Sequence, residues 1–289
     1  MQDKNINVVN FFWVGELTQY EILSFNSFLN NGFNVNLWTY FSKWNKKNNN
    51  LLNEKIKLKD ASEIVNESYL MKFTQDSQKS NMSSFSNLFR YELLLKEGGW
   101  WFDSDCICLK HVDEFKKLSY NQKFVLGLEN EHLIGSSVMY INDDSITNLL
   151  LNETYKRIAD NEYKFYWGEI GPYLITDVFL KNDLFQYTFD RKLFFQIEPE
   201  NFHNLFLPSY KDSINNALRE SFVCHTWNEM FRKYNISKSK LPPKKSYIYE
   251  HINKYVENNT KPYSFLFGLR FRPVLKYFYK SISRLKTLF

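Results

Sequence analysis

The first forty residues carry the pattern of a β-α-β unit, which restricts the chain to a small set of α/β folds. Residues 8–14 are apolar and rich in β-branched and aromatic side chains, which predicts a short buried strand. Thr18 and Glu21 have capping-box spacing and predict a helix that stops near Gly32. Alternating apolar and polar side chains at 34–38 predict a second strand. Strands joined in this way usually run parallel, and ligands bind at their carboxyl ends.

The composition agrees with an α/β class. A chain of 289 residues has room for one main domain with a sizeable core. Its 44% hydrophobic residues, with 18% aromatic, exclude a disordered protein. With only 9 Gly and 7 Pro, the chain is poor in the turn residues that an all-β protein needs.

Charge and cysteine content exclude several other classes. The net charge of +5 is mild and the basic residues are spread out until the last stretch, so no nucleic-acid partner is expected. Cys106, Cys108 and Cys224 are too few for a disulfide framework or a structural zinc site, which favours a reducing compartment. The first residues resemble neither a signal peptide nor a membrane span, so a cytoplasmic location is expected.

A second helix and strand lead to a pair of aspartates. Apolar side chains recur at helical spacing through 83–96, and Gly98 supplies a stop before a short strand at 100–102. Asp103 and Asp105 therefore follow the exit of a predicted strand. Further strands are predicted at 124–128, 137–141 and 222–224, helices at 146–159 and 173–181, and a solvated loop at 43–55.

The D-x-D spacing is compatible with a metal site and also with an ordinary solvated turn. Side chains two apart in an extended strand point the same way, so Asp103 and Asp105 would converge on one spot if the chain stays extended. Two carboxylates suit Mn²⁺ or Mg²⁺, which a diphosphate-bearing substrate would help to coordinate. A solvated turn is the alternative, because such a triplet arises readily by chance.

The surrounding residues favour the chemical interpretation. The run SNLFRY at 86–91, followed by GGWWFDSD at 98–105, closely resembles the sugar-binding region of the D-x-D glycosyltransferases of family thirty-two and its relatives. The segments NFFWVG at 10–15, NLWT at 36–39, Gly171-Pro172 and HTWN at 225–228 extend this resemblance over about residues 6–230. It implies a GT-A type fold, an α/β nucleotide-binding sheet flanked by helices. The implied activity is metal-dependent, retaining transfer of a hexose from a UDP-sugar to a glycan acceptor in bacterial surface polysaccharide synthesis.

The same resemblance assigns expected roles to individual residues. Asp105, with Asp103 and His225, would hold the metal, while Asp103 and Arg90 would contact the donor. The resemblance places further donor contacts at Trp13, Val14, Gly15, Ser86, Asn87, Gly98, Gly99, Gly171 and Pro172, with Trp13 stacking on the nucleobase. The indole N–H of Trp227 would bind a phosphate oxygen as charge grows on the leaving group. Glu169 is a candidate for contacting the sugar or the acceptor.

One position departs from the family pattern, and it bears on the choice of donor. The family's usual Ser-Asp before the arginine is Ser86-Asn87 here, so an amide that both accepts and donates replaces a carboxylate. We therefore expect Asn87 to affect which sugar is bound rather than the type of reaction.

Residues 261–289 differ in composition from the domain expected at 1–260. They hold seven basic residues and no acidic one, and apolar side chains after Pro273 recur at three- and four-residue steps. A basic amphipathic tail of this kind is expected to lie on an anionic membrane surface, which suits a lipid-linked glycan acceptor. The alternative is a terminal helix that packs on the domain.

Two other functions remain open at this point. One is an effector enzyme of the same fold that glycosylates a protein, and the other is a catalytically silent module that binds nucleotide-sugars at a membrane. The absence of a visible export signal disfavours the first, and the intact Arg90, Asp103, Asp105 and His225 disfavour the second.

Overall fold

A computed structural model of the chain describes residues 5–75, 82–234 and 236–256. Its strands are β1 Val8–Phe12, β2 Asn34–Thr39, β3 Lys57–Asp60, β4 Trp100–Phe102, β5 Cys106–Cys108, β6 Phe124–Asn130, β7 Leu133–Ile141 and β8 Val223–His225. Its α-helices are α1 Gln19–Asn30, α2 Glu67–Thr74, α3 Met82–Lys96, α4 Val112–Ser119, α5 Asp144–Asn161, α6 Pro172–Lys181, α7 Lys211–Ala217, α8 Asn228–Lys233 and α9 Tyr247–Tyr255.

Six strands form the main sheet in the order β3-β2-β1-β4-β7-β6. The first four in this order run parallel, while β7 is antiparallel to both β4 and β6. The strands β5 and β8 form a separate antiparallel pair. The carboxyl ends of β1 and β4 therefore meet the amino end of β7 at one edge of the sheet.

The predicted β-α-β unit is present. Thr18 caps α1, and both halves of the capping box with Glu21 are formed. After α1, Gly32 adopts a φ of +88°, which a residue with a side chain rarely tolerates, and the chain turns into β2. The strands β1 and β2 pair in parallel from Val8 to Phe12, as the pattern indicated.

Each face of the sheet carries its own hydrophobic core, because successive side chains of a strand point to opposite faces. In β4, Trp100 and Phe102 pack with the apolar face of α1, whereas Trp101 packs with α3. Helices thus cover both faces of a mostly parallel sheet. The predicted α/β class, with helices flanking the sheet, is confirmed.

Two local predictions were incomplete. The stretch expected to be a loop at 43–55 contains a short 3-10 helix at Lys46–Asn50, and the edge strand β3 that follows it was not predicted. The strand β5 was also missed, since it has three residues and lies directly after the aspartates.

The predicted basic tail at 261–289 lies outside the described residues. Within the ranges described above, no helix has the length and apolar character needed to cross a membrane.

Candidate active site

A cleft of about 430 Å³ opens at the sheet edge where β1 and β4 end. The register that pairs Asn10 with Trp101 brings the ends of these two strands side by side, so Trp13 and Asp103 both border the opening. Of the residues predicted from the sequence, Trp13, Val14, Ser86, Asn87, Arg90, Asp103, Asp105, Pro172, His225 and Trp227 line this cleft.

The D-x-D segment is a turn rather than a continuation of β4. The backbone N–H of Cys106 donates to the carbonyl of Asp103 at 3.1 Å, which closes a four-residue turn. The expectation that both carboxylates project from an extended strand toward one spot is therefore wrong. The turn gives Asp103 and Asp105 different partners.

Asp103 is held by Arg90 and Trp101. Its Oδ1 accepts a hydrogen bond from Arg90 Nη2 at 3.0 Å and one from the Trp101 indole at 2.8 Å. The Arg90 side chain is only 4% exposed, and its other donors bind Ser86 and the carbonyl of Ser136. The guanidinium also lies 4.9 Å from the centre of the Trp101 ring. Arg90 thus orients Asp103, and each of its three side-chain nitrogens donates to a group of the protein.

Asp105 forms a buried pair with His225. The two residues meet because β5 pairs with β8, which sets Cys106 opposite His225. Asp105 Oδ1 lies 3.2 Å from His225 Nε2, and Oδ2 accepts from the backbone N–H of Asn228 at 2.6 Å. Burial opposes ionisation of Asp105, but the charge of His225 and hydrogen bonds from His225 and Asn228 prevail and lower its pKa to about 2.

The imidazole of His225 responds in the opposite direction. Burial favours its neutral form, yet the charge and hydrogen bond of Asp105 outweigh burial and raise the pKa of His225. Its Nδ1 is buried and has no hydrogen-bond partner among the described residues.

A carboxylate, a thiol and an imidazole form a group with metal-ligand spacing. Ligand atoms of Asp105, Cys106 and His225 all lie within 4.8 Å of one another. Burial raises the pKa of Cys106 well above its ordinary value, so this thiol stays protonated in the absence of a metal. Asp103, which was predicted to share the metal, does not belong to this group of the described residues.

Trp227 has a different local role from the predicted one. It adopts a φ of +55° at the amino end of α8, and its indole N–H donates to the carbonyl of Ile197 at 2.8 Å. That N–H is therefore occupied, and the expected hydrogen bond to a phosphate oxygen has no free donor here. The ring instead packs edge-on against His225, with centroids 4.1 Å apart.

The end of β1 combines an aromatic ring with a cation. Lys238 Nζ lies 5.4 Å from the centre of the Trp13 ring and pairs with the buried carboxylate of Glu21. Both Trp13 and Lys238 line the cleft. Gly15 itself is not among the lining residues; its φ of +110° lets the chain turn away after Val14.

Asn87 packs against a glycine at the start of α6. A Cβ at Gly171 would lie 2.5 Å from Asn87 Nδ2, so only glycine leaves room for this amide. Gly171 therefore seats Asn87 without lining the cleft itself, while Pro172 begins α6 and does line it.

Besides Gly15 and Gly171, three further predicted contacts do not line the cleft. Gly98 and Gly99 form the turn before β4, at the opposite end of that strand from Asp103, and Gly99 packs against the carbonyl of Val8. The carboxylate of Glu169 accepts hydrogen bonds from Asn161 Nδ2 and from the backbone N–H of Tyr166, so it structures its own loop. The sugar contact expected of Glu169 does not fit this position.

Other polar residues in the cleft were not predicted. Glu129 near the end of β6 is half-buried, its carboxylate makes no hydrogen bond or ion pair with the described residues, and burial raises its pKa. Lys238 and Arg232 follow His225 along the chain and also line the cleft. Only the topology reveals Glu129, since β6 and β7 form a hairpin that returns to the edge where β4 ends.

Two family models match the chain in its two halves. Residues 18–125 match the glycosyltransferase sugar-binding region containing the DXD motif. Residues 146–255 match the alpha 1,4-glycosyltransferase conserved region. No curated protein matches this sequence.

Solved structures of glycosyltransferases are similar to the chain at low identity. The apo bifunctional glycosyltransferase WbbM is 12% identical with a TM-score of 0.49, over 92% of this chain and 50% of that one. The PaToxG glycosyltransferase is 14% identical with a TM-score of 0.45, over 87% and 88%. The galactosyltransferase LgtC, solved with donor and acceptor sugar analogues, is 10% identical with a TM-score of 0.40, over 64% and 74%.

Proposed function

Because this chain is a glycosyltransferase that carries the DXD sugar-binding region and the alpha 1,4-glycosyltransferase conserved region, we propose that it moves a hexose from a UDP-sugar to a glycan acceptor in a metal-dependent, retaining reaction. The observation that carries this proposal is the buried Asp105–His225 pair, which lines the same cleft as the Asp103 carboxylate held by Arg90.

The donor atoms of the pair suit a divalent cation. A carboxylate and an imidazole are both ligands that Mn²⁺ accepts, and the unpartnered Nδ1 leaves His225 free to change its tautomer when Nε2 binds. Asp105 and His225 would hold the ion, and the diphosphate would supply further oxygens. When bound, the metal would offset the negative charge of the departing UDP. Binding also requires His225 to lose its proton, because only the neutral imidazole coordinates.

Asp103 has a free acceptor for a donor hydroxyl. Its Oδ1 is occupied by Arg90 and Trp101, but Oδ2 has no partner among the described residues, and the side chain is 29% exposed. Fixing one oxygen of a carboxylate while leaving the other accessible favours a hydrogen bond of defined direction. Asp103 therefore orients the donor rather than holding the metal.

The aromatic and basic residues near the end of β1 support a nucleotide at that side. Trp13 offers a ring for the uracil, and Lys238 beside it offers a positive charge for the diphosphate. Arg232 adds a second positive charge at this side, and its exposed guanidinium pairs with Glu229. Retention further requires that positive charge at the anomeric carbon be stabilised, and the Glu129 carboxylate, which has no partner among the described residues, suits this role.

The composition of the tail supports a peripheral membrane location. Seven basic residues and no acidic one in 261–289 would attract anionic lipids at about 1 kcal/mol per basic residue near the surface. A surface-bound enzyme would share the membrane with a lipid-linked glycan acceptor, as in bacterial surface polysaccharide synthesis. We propose this location together with the function.

The test is UDP release from a panel of UDP-sugars with and without Mn²⁺. We expect one or more of UDP-galactose, UDP-glucose and the two UDP-N-acetylhexosamines to be turned over only with metal. Asp105→Ala should lower turnover by more than about 100-fold, since even outer-shell changes cost ~10–100-fold. Asp113→Ala, at an exposed aspartate of α4, serves as the control and should not change it. If folded protein releases no UDP from any donor, or if Asp105→Ala turns over normally, the proposal is wrong.

A further inference from the structure

Three exposed aromatic side chains cluster beside the cleft. Tyr166, Trp167 and Tyr173 are 63%, 55% and 41% exposed. Trp167 meets Tyr173 edge-on with centroids 6.1 Å apart, and Tyr166 lies 6.0 Å from the same ring. Large aromatic groups exposed singly are ordinary, but a contiguous cluster on a surface marks a binding site.

The loop between α5 and α6 holds these rings in place. Phe165 and Ile170 are buried on either side of the exposed pair and anchor the loop to the core. The Glu169 carboxylate accepts from the N–H of Tyr166, and Arg157 donates to the Glu169 carbonyl. These contacts hold the loop in place before a ligand binds, so binding costs little conformational entropy.

Gly168 allows the Tyr173 ring to pack closely against the turn. Gly168 has a φ of +80°, and a Cβ at this position would meet the Tyr173 ring at 2.9 Å. Glycine at 168 thus serves two needs, a left-handed backbone and close packing of Tyr173 against the turn. This keeps the Trp167 and Tyr173 rings in contact.

The cluster continues into the cleft and contributes no charge to it. Trp167, Gly168 and Pro172 line the cleft, and none of them is ionisable. The basic cleft residues Arg232 and Lys238 come from other parts of the chain. A diphosphate would be drawn to those cations, whereas an uncharged ligand suits the aromatic side.

We propose that Tyr166, Trp167 and Tyr173 form the platform that binds the acceptor saccharide. The apolar C–H face of a pyranose ring packs on an aromatic ring, while its hydroxyl groups stay hydrated at the rim. This inference rests on the proposed function, because it takes the other part of the cleft as the donor site. The proposed ligand of the platform is a neutral sugar, not the nucleobase or a protein partner.

The platform is tested on the full chain with four methyl glycosides, those of glucose, galactose, N-acetylglucosamine and rhamnose, at tens of millimolar. Saturation-transfer NMR should show that at least one of them binds through the protons of one ring face. Trp167→Ala should weaken that binding, or raise the KM for the glycoside as acceptor, by about tenfold. Trp167→Phe should keep most of it. Tyr166→Ala should weaken it as well, whereas the matched control Tyr120→Ala, which removes an exposed tyrosine ring away from the cleft, should leave it unchanged.

The outcomes separate the platform from the proposed function. Glycoside binding tests the platform, and metal-dependent UDP release by the wild-type protein without acceptor tests the proposed function. If wild-type protein binds none of the glycosides, or if Trp167→Ala binds them as wild type does, the platform is wrong while UDP release still stands. If Trp167→Ala instead raises the KM for the UDP-sugar, the rings belong to the donor site and the inference fails. Glycoside binding through Trp167 without any UDP release would sink the proposed function and keep the platform.

Discussion

The buried guanidinium of Arg90 gives the sharpest quantitative test of how the site is built. Four acceptors surround it: the Ser86 carbonyl at 3.2 Å, the Ser86 hydroxyl at 3.3 Å, the Ser136 carbonyl and Asp103 Oδ1 at 3.0 Å. A planar fork with five donors can serve acceptors in several directions at once, and a lysine ammonium on a flexible stem cannot. Arg90→Lys therefore keeps the charge and removes the geometry.

Arg90→Lys should destabilise the fold, because the ammonium cannot replace every interaction of the guanidinium. At least one hydrogen bond of a charged group disappears, at ~1.5–3 kcal/mol, together with stacking on Trp101 at ~0.5–2 kcal/mol. We expect the free energy of unfolding to fall by about 2–5 kcal/mol, which lowers the melting temperature by roughly 4–20 °C for a domain of this size. The same change at the partly exposed Arg191, which pairs with Glu198, should cost no more than ~1 kcal/mol.

A double-mutant cycle decides whether Arg90 acts through Asp103. Asp103→Asn keeps an oxygen for the Trp101 indole and loses the charge that Arg90 pairs with. If Arg90 only positions Asp103, adding Arg90→Lys to Asp103→Asn should lower kcat/KM for the UDP-sugar little further. The assay is run well below the melting temperature of every variant. Multiplicative losses would show that Arg90 contacts the donor itself and would refute the reasoning, as would a melting temperature equal to that of the wild type.

Three further results are expected. In metal-free buffer the depressed pKa of Asp105 adds about 2 kcal/mol of stability above pH ~4, which is lost as pH falls toward 2. The raised pKa of His225 adds stability below pH ~6.5, which is lost as pH rises. Denaturant unfolding should show a smaller loss of stability in acid for Asp105→Asn than for the wild type. Glu129→Gln should lower transfer by about 100-fold with an unchanged Kd for UDP, and normal transfer would remove Glu129 from the chemistry. A chain ending at Asn259 should keep UDP release and lose salt-sensitive co-sedimentation with anionic vesicles; persistent co-sedimentation, or failure of the shortened chain to fold, would contradict the membrane role.

Local patterns in the sequence predicted the elements that begin the fold. The capping box at Thr18 and Glu21 and the alternation in β2 are encoded within a few residues, so they could be recognised without tertiary information. The edge strand β3 and the three-residue β5 could not, because both are specified by pairing with strands distant in the sequence.

The sequence motifs predicted some residues of the cleft but not the contacts between them. Arg90 and Asp103 were singled out by the family pattern, but their mutual pairing depends on how α3 packs beside β4. Glu129 had no sequence signal, since its place depends on the β6–β7 hairpin reaching the edge where β4 ends. Glu169, Gly98 and Gly99 were predicted to lie in the site because they are close to motif residues in the sequence. Closeness in the sequence does not determine which part of the fold a residue faces.

The two aspartates show how one turn separates two tasks. In an extended strand, Asp103 and Asp105 would share one face and their like charges would oppose each other. The hydrogen bond from Cys106 to Asp103 folds the segment instead, which leaves Asp103 beside Arg90 and carries Asp105 to the β5–β8 pair with His225. Each carboxylate then has its own partner within one cleft, Arg90 for Asp103 and His225 for Asp105. In the proposed function, that separation would let Asp103 orient the sugar of the donor while Asp105 takes part in holding a cation.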